Sequence, residues 1–543
     1  MGQTFNITTP DSVDTTKRVF PQTGVSNLKV IKNGEYKKVG LWINGTTVIA
    51  SRPLKIVGGK FTGLLSTGVV QNVVPTVIPA IDSTTVTLPN STWNYLEVTI
   101  DDNKPFAFIT MDYFVGDICV AGGTEDTEAL IDYSSRPYFV GSLNGMFSNN
   151  RKVRYDLTKW NVNPVTNMQA TFFNNIKFNQ EIGNWDVSNT NMFRQTFSGA
   201  TSFNKPLSNW NVSKSTNFFG MFAGATSFNQ DINSWNVATA TDFSAMFQNA
   251  ISFNKPLSNW NMSKAVLTTN MFLGASNFNQ DIGSWNVSNV SNMSKMFESA
   301  SAFNQDLNNW NVGNVSDFTS MFKNAKSFNK PVSNWNMSKA TSINGIFFGA
   351  LPFDQDVNTW NLSSCTSFGS VFRETSFNRP LSNWDVSKGT EFGGMFWLNS
   401  KFNQPLSMWN MSSAVNMISM FQQATAFNQD ISNWNISKVL DMSNMFNGAT
   451  SYNQDLSAWC AKFNINVNLT SFLDNSGMSA ANYSAFLNAL WADIGTTRQG
   501  AWIARTTAKI LGAANLKYNS TAAAARASLI ANGWTITDGG QAA

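Results

Sequence analysis

The sequence predicts an α/β solenoid set between a β-rich N-terminal domain and a C-terminal α/β cap, and three observations carry that prediction. Tryptophans recur at 160, 185, 210, 235, 260, 285, 310, 335, 360, 384, 409, 434 and 459, so eleven of the twelve intervals are 25 residues and one is 24. Apolar residues hold fixed offsets within each interval, and a period of roughly 20–50 residues is the mark of stacked structural repeats. Outside residues 141–470 the period stops. Three domains follow: 1–140, a β-rich anchor; 141–470, about 13 repeat units; and 471–543, the cap.

The repeat unit is clearest in DIGSWNVSNVSNMSKMFESASAFN, residues 281–304. Ile282, Trp285 and Val287 are spaced three then two, the pattern of a leucine-rich-repeat-like strand. Val290, Met293, Met296, Phe297, Ala300 and Phe303 fit one face of a helix of about three turns. Ser288 stands where that helix would start and suits an N-cap, as do Ser188, Ser213, Ser263, Ser338, Ser363, Ser387, Ser412 and Ser437. Each unit therefore reads as strand, cap, short helix and return loop. Such a unit cannot bury its faces alone, so neighbours must stack, with strands about 4.8 Å apart. Met-Phe pairs such as Met296-Phe297 fill the helical side, and the aromatic stripe reads as core. The one short interval comes where MFAGATSFN becomes VFRETSFN with an alanine lost.

Flanking segments follow other rules. In 1–140, the runs LKVIKN, KKVGLWINGTTVIA, TTVTLP, YLEVTI and FAFITMDYFV alternate with Asn-Gly, Gly-Gly and Asp-Asp-Asn turns, as in a small β-sandwich or barrel. The apolar but proline-interrupted stretch 66–86 reads as an extended arm rather than a hairpin. Residues 479–494 and 521–534 read as helices, with a last strand at Trp534–Thr537. Their task is to shield the open end of the repeat core. No secretory leader is read at the N-terminus, and no run of about 18 apolar residues suggests a membrane span.

Composition narrows the chemistry. With no histidine, every Ser-His or Cys-His relay and every His-containing metal site is excluded. Cys119, Cys365 and Cys460 are too far apart for a zinc spacing or a disulfide framework, so no cofactor and no metal are expected. Net charge is +4 with 13% charged residues, which gives no basic field for nucleic acid. One column, three residues after each repeat Phe, holds Asp interrupted by Pro. Its neighbours Asp281/Asp306 and Asp430/Asp455 read as solvated, with a bound calcium as the alternative. Lys205, Lys255, Lys330 and Arg379 precede the prolines as rim charges.

Two asparagine columns stand out. Asn211, Asn236, Asn261, Asn286, Asn311, Asn336, Asn361, Asn410 and Asn435 follow the tryptophans and would line the concave face, where amides that donate and accept suit sugar hydroxyls. The other reading is that these amides bond to one another along the stack. Asn204, Asn229, Asn254, Asn279 and Asn304, after each Phe, read as turn residues.

Units such as MFAGATSFNQDINSWNVATATDF and MFLGASNFNQDIGSWNVSNVSNM resemble the BspA-like surface-protein repeat, also found in mycoplasma-type lipoproteins. The resemblance covers 141–470 through the core F-N-x-[DP]-[IL]-x-x-W-[ND]-[VM]-S. MSAANYSAFLNALWADIG and YNSTAAAARASLIANGWTITDGG resemble a segment that follows such repeats in bacteriophage and environmental bacterial proteins. The resemblance implies surface adhesion and supplies no catalytic residue. The expectation is a non-enzymatic virion surface protein: a phage fibre, decoration or receptor-binding component attaching to host cell-surface glycan or protein. Residues 1–140 would join other virion structural proteins, the chain can form a homo-oligomer, and neither nucleic acid nor membrane insertion is expected. The alternatives are a cellular BspA-like surface adhesin, extracellular or on the cell surface, and a carboxylate-dependent polysaccharide hydrolase.

Overall fold

The computed structural model describes residues 165–543, residues 143–149, 157, 158, 160, 162 and 163, and the backbone of ten strands between residues 3 and 142. The chain divides into two compact units, Met1–Asp242 and Phe243–Ala543.

The first unit opens with strands β1 (Gln3–Thr8), β2 (Gly24–Lys32), β3 (Glu35–Asn44), β4 (Thr47–Phe61), the two-residue β5 (Gly63–Leu64) and β6 (Val70–Gln71), β7 (Ile81–Thr87) and β8 (Asn94–Ile100). Their antiparallel order is β3-β2-β1-β8-β4-β7, and β4 pairs again with β3 through Leu41↔Ala50 to Asn44↔Thr47. That second pairing closes a ring of five strands. The 15-residue length of β4 lets its first part serve β3 and its later part β8. Within the stretch 66–86, β6 and the start of β7 are described, and residues 72–80 lie outside the described residues. Three parallel strands lead into the repeats: β9 (Phe106–Thr110), β10 (Pro137–Ser142) and β11 (Val165–Asn167).

Each 25-residue rung buries the apolar positions that the period picks out. In the unit at 281–304, Ile282, Val290, Met293, Met296, Phe297, Ala300 and Phe303 are fully covered, and Trp285 and Val287 nearly so. The secondary structure differs from the expected strand and helix. No helix occurs between residues 168 and 456, and the Ile282–Val287 stretch forms a turn, with the Trp285 N–H donating to the Ile282 carbonyl at 3.1 Å. The sheet-like pairing is a single-residue parallel bridge per rung, such as Asn292↔Asp317 and Asp317↔Ser342.

Where the helix was expected, the backbone alternates its allegiance. The N–H groups of Lys295, Phe297 and Ser299 donate to the next rung, at Thr319, Met321 and Lys323, over 2.7–2.9 Å. Those of Met296, Glu298 and Ala300 turn back onto Met293, Lys295 and Phe297 over 3.0–3.2 Å. Lys295 and Ser299 hold φ of 56° and 60°, and a left-handed residue every fourth position cannot continue an α-helix. Ser288 consequently starts one turn rather than capping a helix.

Side chains finish the stack. In the first unit the indoles of Trp160, Trp185, Trp210 and Trp235 lie 6.3–6.5 Å apart with planes 4° apart. In the second unit, Trp335, Trp360, Trp384, Trp409 and Trp434 continue at 6.1–6.4 Å. Indole N–H groups reach buried backbone carbonyls of the preceding rung: Trp310 to Ile282 at 3.0 Å, Trp335 to Leu307 at 2.9 Å, Trp360 to Val332 at 2.9 Å. Offset-stacked aromatic pairs add about 0.5–1.5 kcal/mol each beyond the area they bury.

The short rung is repaired from within. Between Phe372 and Phe377, Thr375 replaces the usual alanine and its hydroxyl donates to the Phe372 carbonyl at 2.8 Å. On the next rung Asn399, fully buried, donates from Nδ2 to the Phe377 carbonyl at 3.0 Å.

Past α1 (Ser457–Cys460) the chain caps the stack with α2 (Ala480–Ala492), α3 (Gln499–Ile503), β12 (Ile510–Ala513), α4 (Ala523–Ala531) and β13 (Thr535–Asp538). β12 and β13 pair in parallel. β12 takes the place of a further rung: Leu473 N–H donates to Gly512 and Asn475 N–H to Ala514, both at 2.9 Å. No helix among the described residues is long and apolar enough to cross a membrane.

Candidate functional site

The candidate surface is the pair of columns on either side of the buried indoles. The tight turn before each tryptophan aims the ring inward, so the side chains just before and after it face solvent. All nine predicted residues, Asn211, Asn236, Asn261, Asn286, Asn311, Asn336, Asn361, Asn410 and Asn435, are exposed. In each, Oδ1 accepts the backbone N–H two residues on, at 3.0–3.2 Å. Consecutive members of the column do not bond to one another; the turn absorbs the acceptor. The Nδ2 groups have no protein partner among the described residues. Within each unit the column is thus an array of fixed amide donors, each oriented by its own spent oxygen.

Two positions in the same column carry charge. Asp186 and Asp385 accept from the Ser188 and Ser387 N–H groups at 3.0 Å, and hydroxyl and backbone hydrogen bonds from those serines hold both carboxyls below the ordinary value of 3.8. In the column before tryptophan, Ser234 Oγ, Thr359 Oγ1 and Asn433 Nδ2 donate to carbonyls of the preceding rung at 3.0, 2.6 and 2.7 Å. Met408 replaces that polar residue on one rung and is 72% exposed.

The column after each Phe has a different duty from the turn role expected of it. Asn229 N–H donates to Asn204 Oδ1 at 2.9 Å, Asn279 N–H to Asn254 Oδ1 at 3.0 Å and Asn304 N–H to Asn279 Oδ1 at 2.9 Å. Gln230, Gln280 and Gln305 add an Nε2 donor to the same oxygens at 2.8 Å. These carboxamides clip successive rungs together. The ladder ends at the cap, where the Ser479 N–H and Asn482 Nδ2 occupy Asn453 Oδ1 at 2.8 and 2.9 Å.

The acidic column is committed to turns as well. Asp231, Asp281, Asp306, Asp356, Asp430 and Asp455 each accept the N–H two residues on at 2.8–2.9 Å. Bonds from the Ser432 N–H and hydroxyl hold the Asp430 carboxyl low. Among the described residues no group of three or more cysteine or carboxylate side chains is placed to hold a metal ion.

The sequence model of DUF285, described as a Mycoplasma protein of unknown function, matches residues 141–260, 241–360 and 341–459. Those segments run over 141–459, more than half of the 543 residues. The chain belongs to the DUF285 family. No curated protein and no solved structure matches it. The DUF285 segments contain both asparagine columns, so the donor array and the inter-rung clip are properties of the repeat. Sequence reading missed the clip, although the Asn-Gln pair that recurs after Phe, as at 229–230, 279–280 and 304–305, was its signal. It also missed a run that does not repeat, at the position after the Met-Phe pair.

Proposed function

We propose that this DUF285 chain is a non-enzymatic attachment protein whose repeats form a solenoid and present the asparagine array to a host cell-surface glycan or protein. One observation carries the reading: the nine exposed carboxamides have their oxygens fixed by turns and their Nδ2 donors unpartnered. Preset donors lose little freedom on meeting a ligand, so many weak contacts along a repeating partner add up. The acidic column supports the non-enzymatic part, since each of its six carboxylates is occupied in accepting a turn N–H on its own rung.

The finer reading is a virion surface protein, a fibre, decoration or receptor-binding component, with residues 1–140 joining other structural proteins of the particle. The resemblance of the C-terminal segment to bacteriophage repeat proteins favours it. A BspA-like adhesin on a cell surface is favoured instead by the mycoplasma description of the family. Immunogold labelling of purified particles and of cells separates the two locations. The attachment reading is tested by binding of labelled full-length chain to host cells. The combined Asn286→Ala, Asn311→Ala, Asn336→Ala and Asn361→Ala variant is expected to lose about tenfold or more in affinity with its melting temperature nearly kept. Wild-type adhesion by that variant refutes the array as the docking surface.

A further inference from the structure

In a stack of near-identical rungs, most columns repeat because packing or hydrogen bonding demands it. A cluster of related departures on neighbouring rungs needs a cause that stacking does not supply. The position after the Met-Phe pair holds Gln248, Leu273, Glu298, Lys323, Phe348, Arg373, Trp397, Gln422 and Asn447 in the second unit. Ser148, Ser198, Ala223, Gln248, Gln422 and Asn447 serve there on other rungs, so the fold does not call for a charged and aromatic run at the central five.

Those five touch in series. Lys323 Nζ lies 3.0 Å from Glu298 Oε1 and 5.5 Å from the Phe348 ring centre. The Arg373 guanidinium sits between two rings, 4.4 Å from the centre of Phe348 and 3.7 Å from that of Trp397. Its Nε pairs with Glu374 Oε1 at 3.2 Å, which leaves both terminal nitrogens without a protein partner among the described residues. The Trp397 indole N–H is covered and finds no acceptor, unlike those of Trp335 and Trp360, which reach a carbonyl. Close to Phe348 and Trp397 in the chain, Leu351 and Leu398 are 56% and 40% exposed.

We infer that Arg373, clamped between Phe348 and Trp397, is the recognition point for a carboxylate-bearing sugar of an acidic polysaccharide. Glu374 Oε1 is taken by the Arg373 Nε and Glu298 Oε1 by Lys323, with Glu298 Oε2 buried away from solvent, so what the Arg373 end of the run lacks is an acceptor, and a carboxylate supplies acceptors alone. The free end of a planar guanidinium matches two carboxylate oxygens with two parallel bonds. Ring stacking fixes the side chain before the ligand arrives, and the exposed leucines offer apolar surface to the C–H face of a pyranose. The inference rests on the attachment reading and names the chemistry of its ligand.

The test is surface binding of the full-length chain to immobilised polygalacturonate, with dextran and polyglutamate as controls. Wild type is expected to bind polygalacturonate well above both controls. Arg373→Gln and Trp397→Leu are each expected to weaken it about tenfold or more. Arg373→Lys, which keeps the charge and the rung but not the fork, is expected to weaken it too, and guards against misfolding of the other two. Three results would overturn the inference: wild-type affinity in Arg373→Lys and Arg373→Gln, equal binding to polyglutamate, or no binding to polygalacturonate by a chain that adheres to host cells. A chain that adheres to no host cell overturns the attachment reading as well.

Discussion

Asparagine does two unlike jobs within a single rung, and the identity of its donor separates them. Asn279 Oδ1 accepts from the Asn304 N–H at 2.9 Å and from Gln305 Nε2 at 2.8 Å, both on the next rung. Asn286 accepts from Ser288 on its own rung and is exposed. Asn279→Ala strands two donors of a neighbour and is expected to cost about 1–3 kcal/mol. Asn286→Ala is expected to cost about 0.5–1 kcal/mol, because water reaches the freed N–H. Denaturant unfolding of both variants gives the order directly, and the reverse order would sink this assignment. The two columns share composition and period, so spacing alone does not tell them apart. What distinguishes them is which N–H the chain path brings nearest, and that depends on contacts 25 residues away.

The period and its buried face were legible at the level of the element, whereas the element itself was misread. Val290, Met293, Met296, Phe297, Ala300 and Phe303 lie on one side in a helix and equally in a series of overlapping turns. Periodicity therefore does not arbitrate. The deciding signal was present in the sequence: Gly199, Gly224, Gly274, Gly349 and Gly448 share one column, each with φ between 68° and 73°. Where the column holds Ser299 or Asn324, φ stays near 60° and 57°. Gly274→Val would place a branched side chain in a left-handed conformation and against the Asn249 carboxamide. A loss of about 1–2 kcal/mol or more is expected, read as a fall in melting temperature. An unchanged melting temperature would mean that the turn series is not what holds the rungs.

The second unit as a whole depends on how its stack is closed. The helices expected at 479–494 and 521–534 correspond to Ala480–Ala492 and Ala523–Ala531. Strand β12 was not legible, since Ile510–Ala513 shows no alternation and pairs because the last rung leaves N–H groups open. Arg498 ties the cap down: it donates to Asp493 at 2.7 Å and to the carbonyls of Phe463 and Cys460 at 2.8 and 2.9 Å. Asp493 is 3% exposed and also takes the Trp502 indole N–H at 2.7 Å. Arg498→Met leaves a buried carboxylate without its cation. A loss of about 3–5 kcal/mol is expected. Exposed rung edges would then show as self-association in size-exclusion chromatography, and a monodisperse, equally stable variant would refute the closure role.

Each rung of that unit offers its successor the same donors and meets the same acceptors, at offsets of 24 to 26 residues. Excising or duplicating one whole period therefore leaves matching edges at the splice, and the terminal seal is untouched. Unequal crossing-over between near-identical copies can change the reach of the molecule in single steps without any intermediate that exposes core, which makes length a trait free to vary while the ends stay as they are.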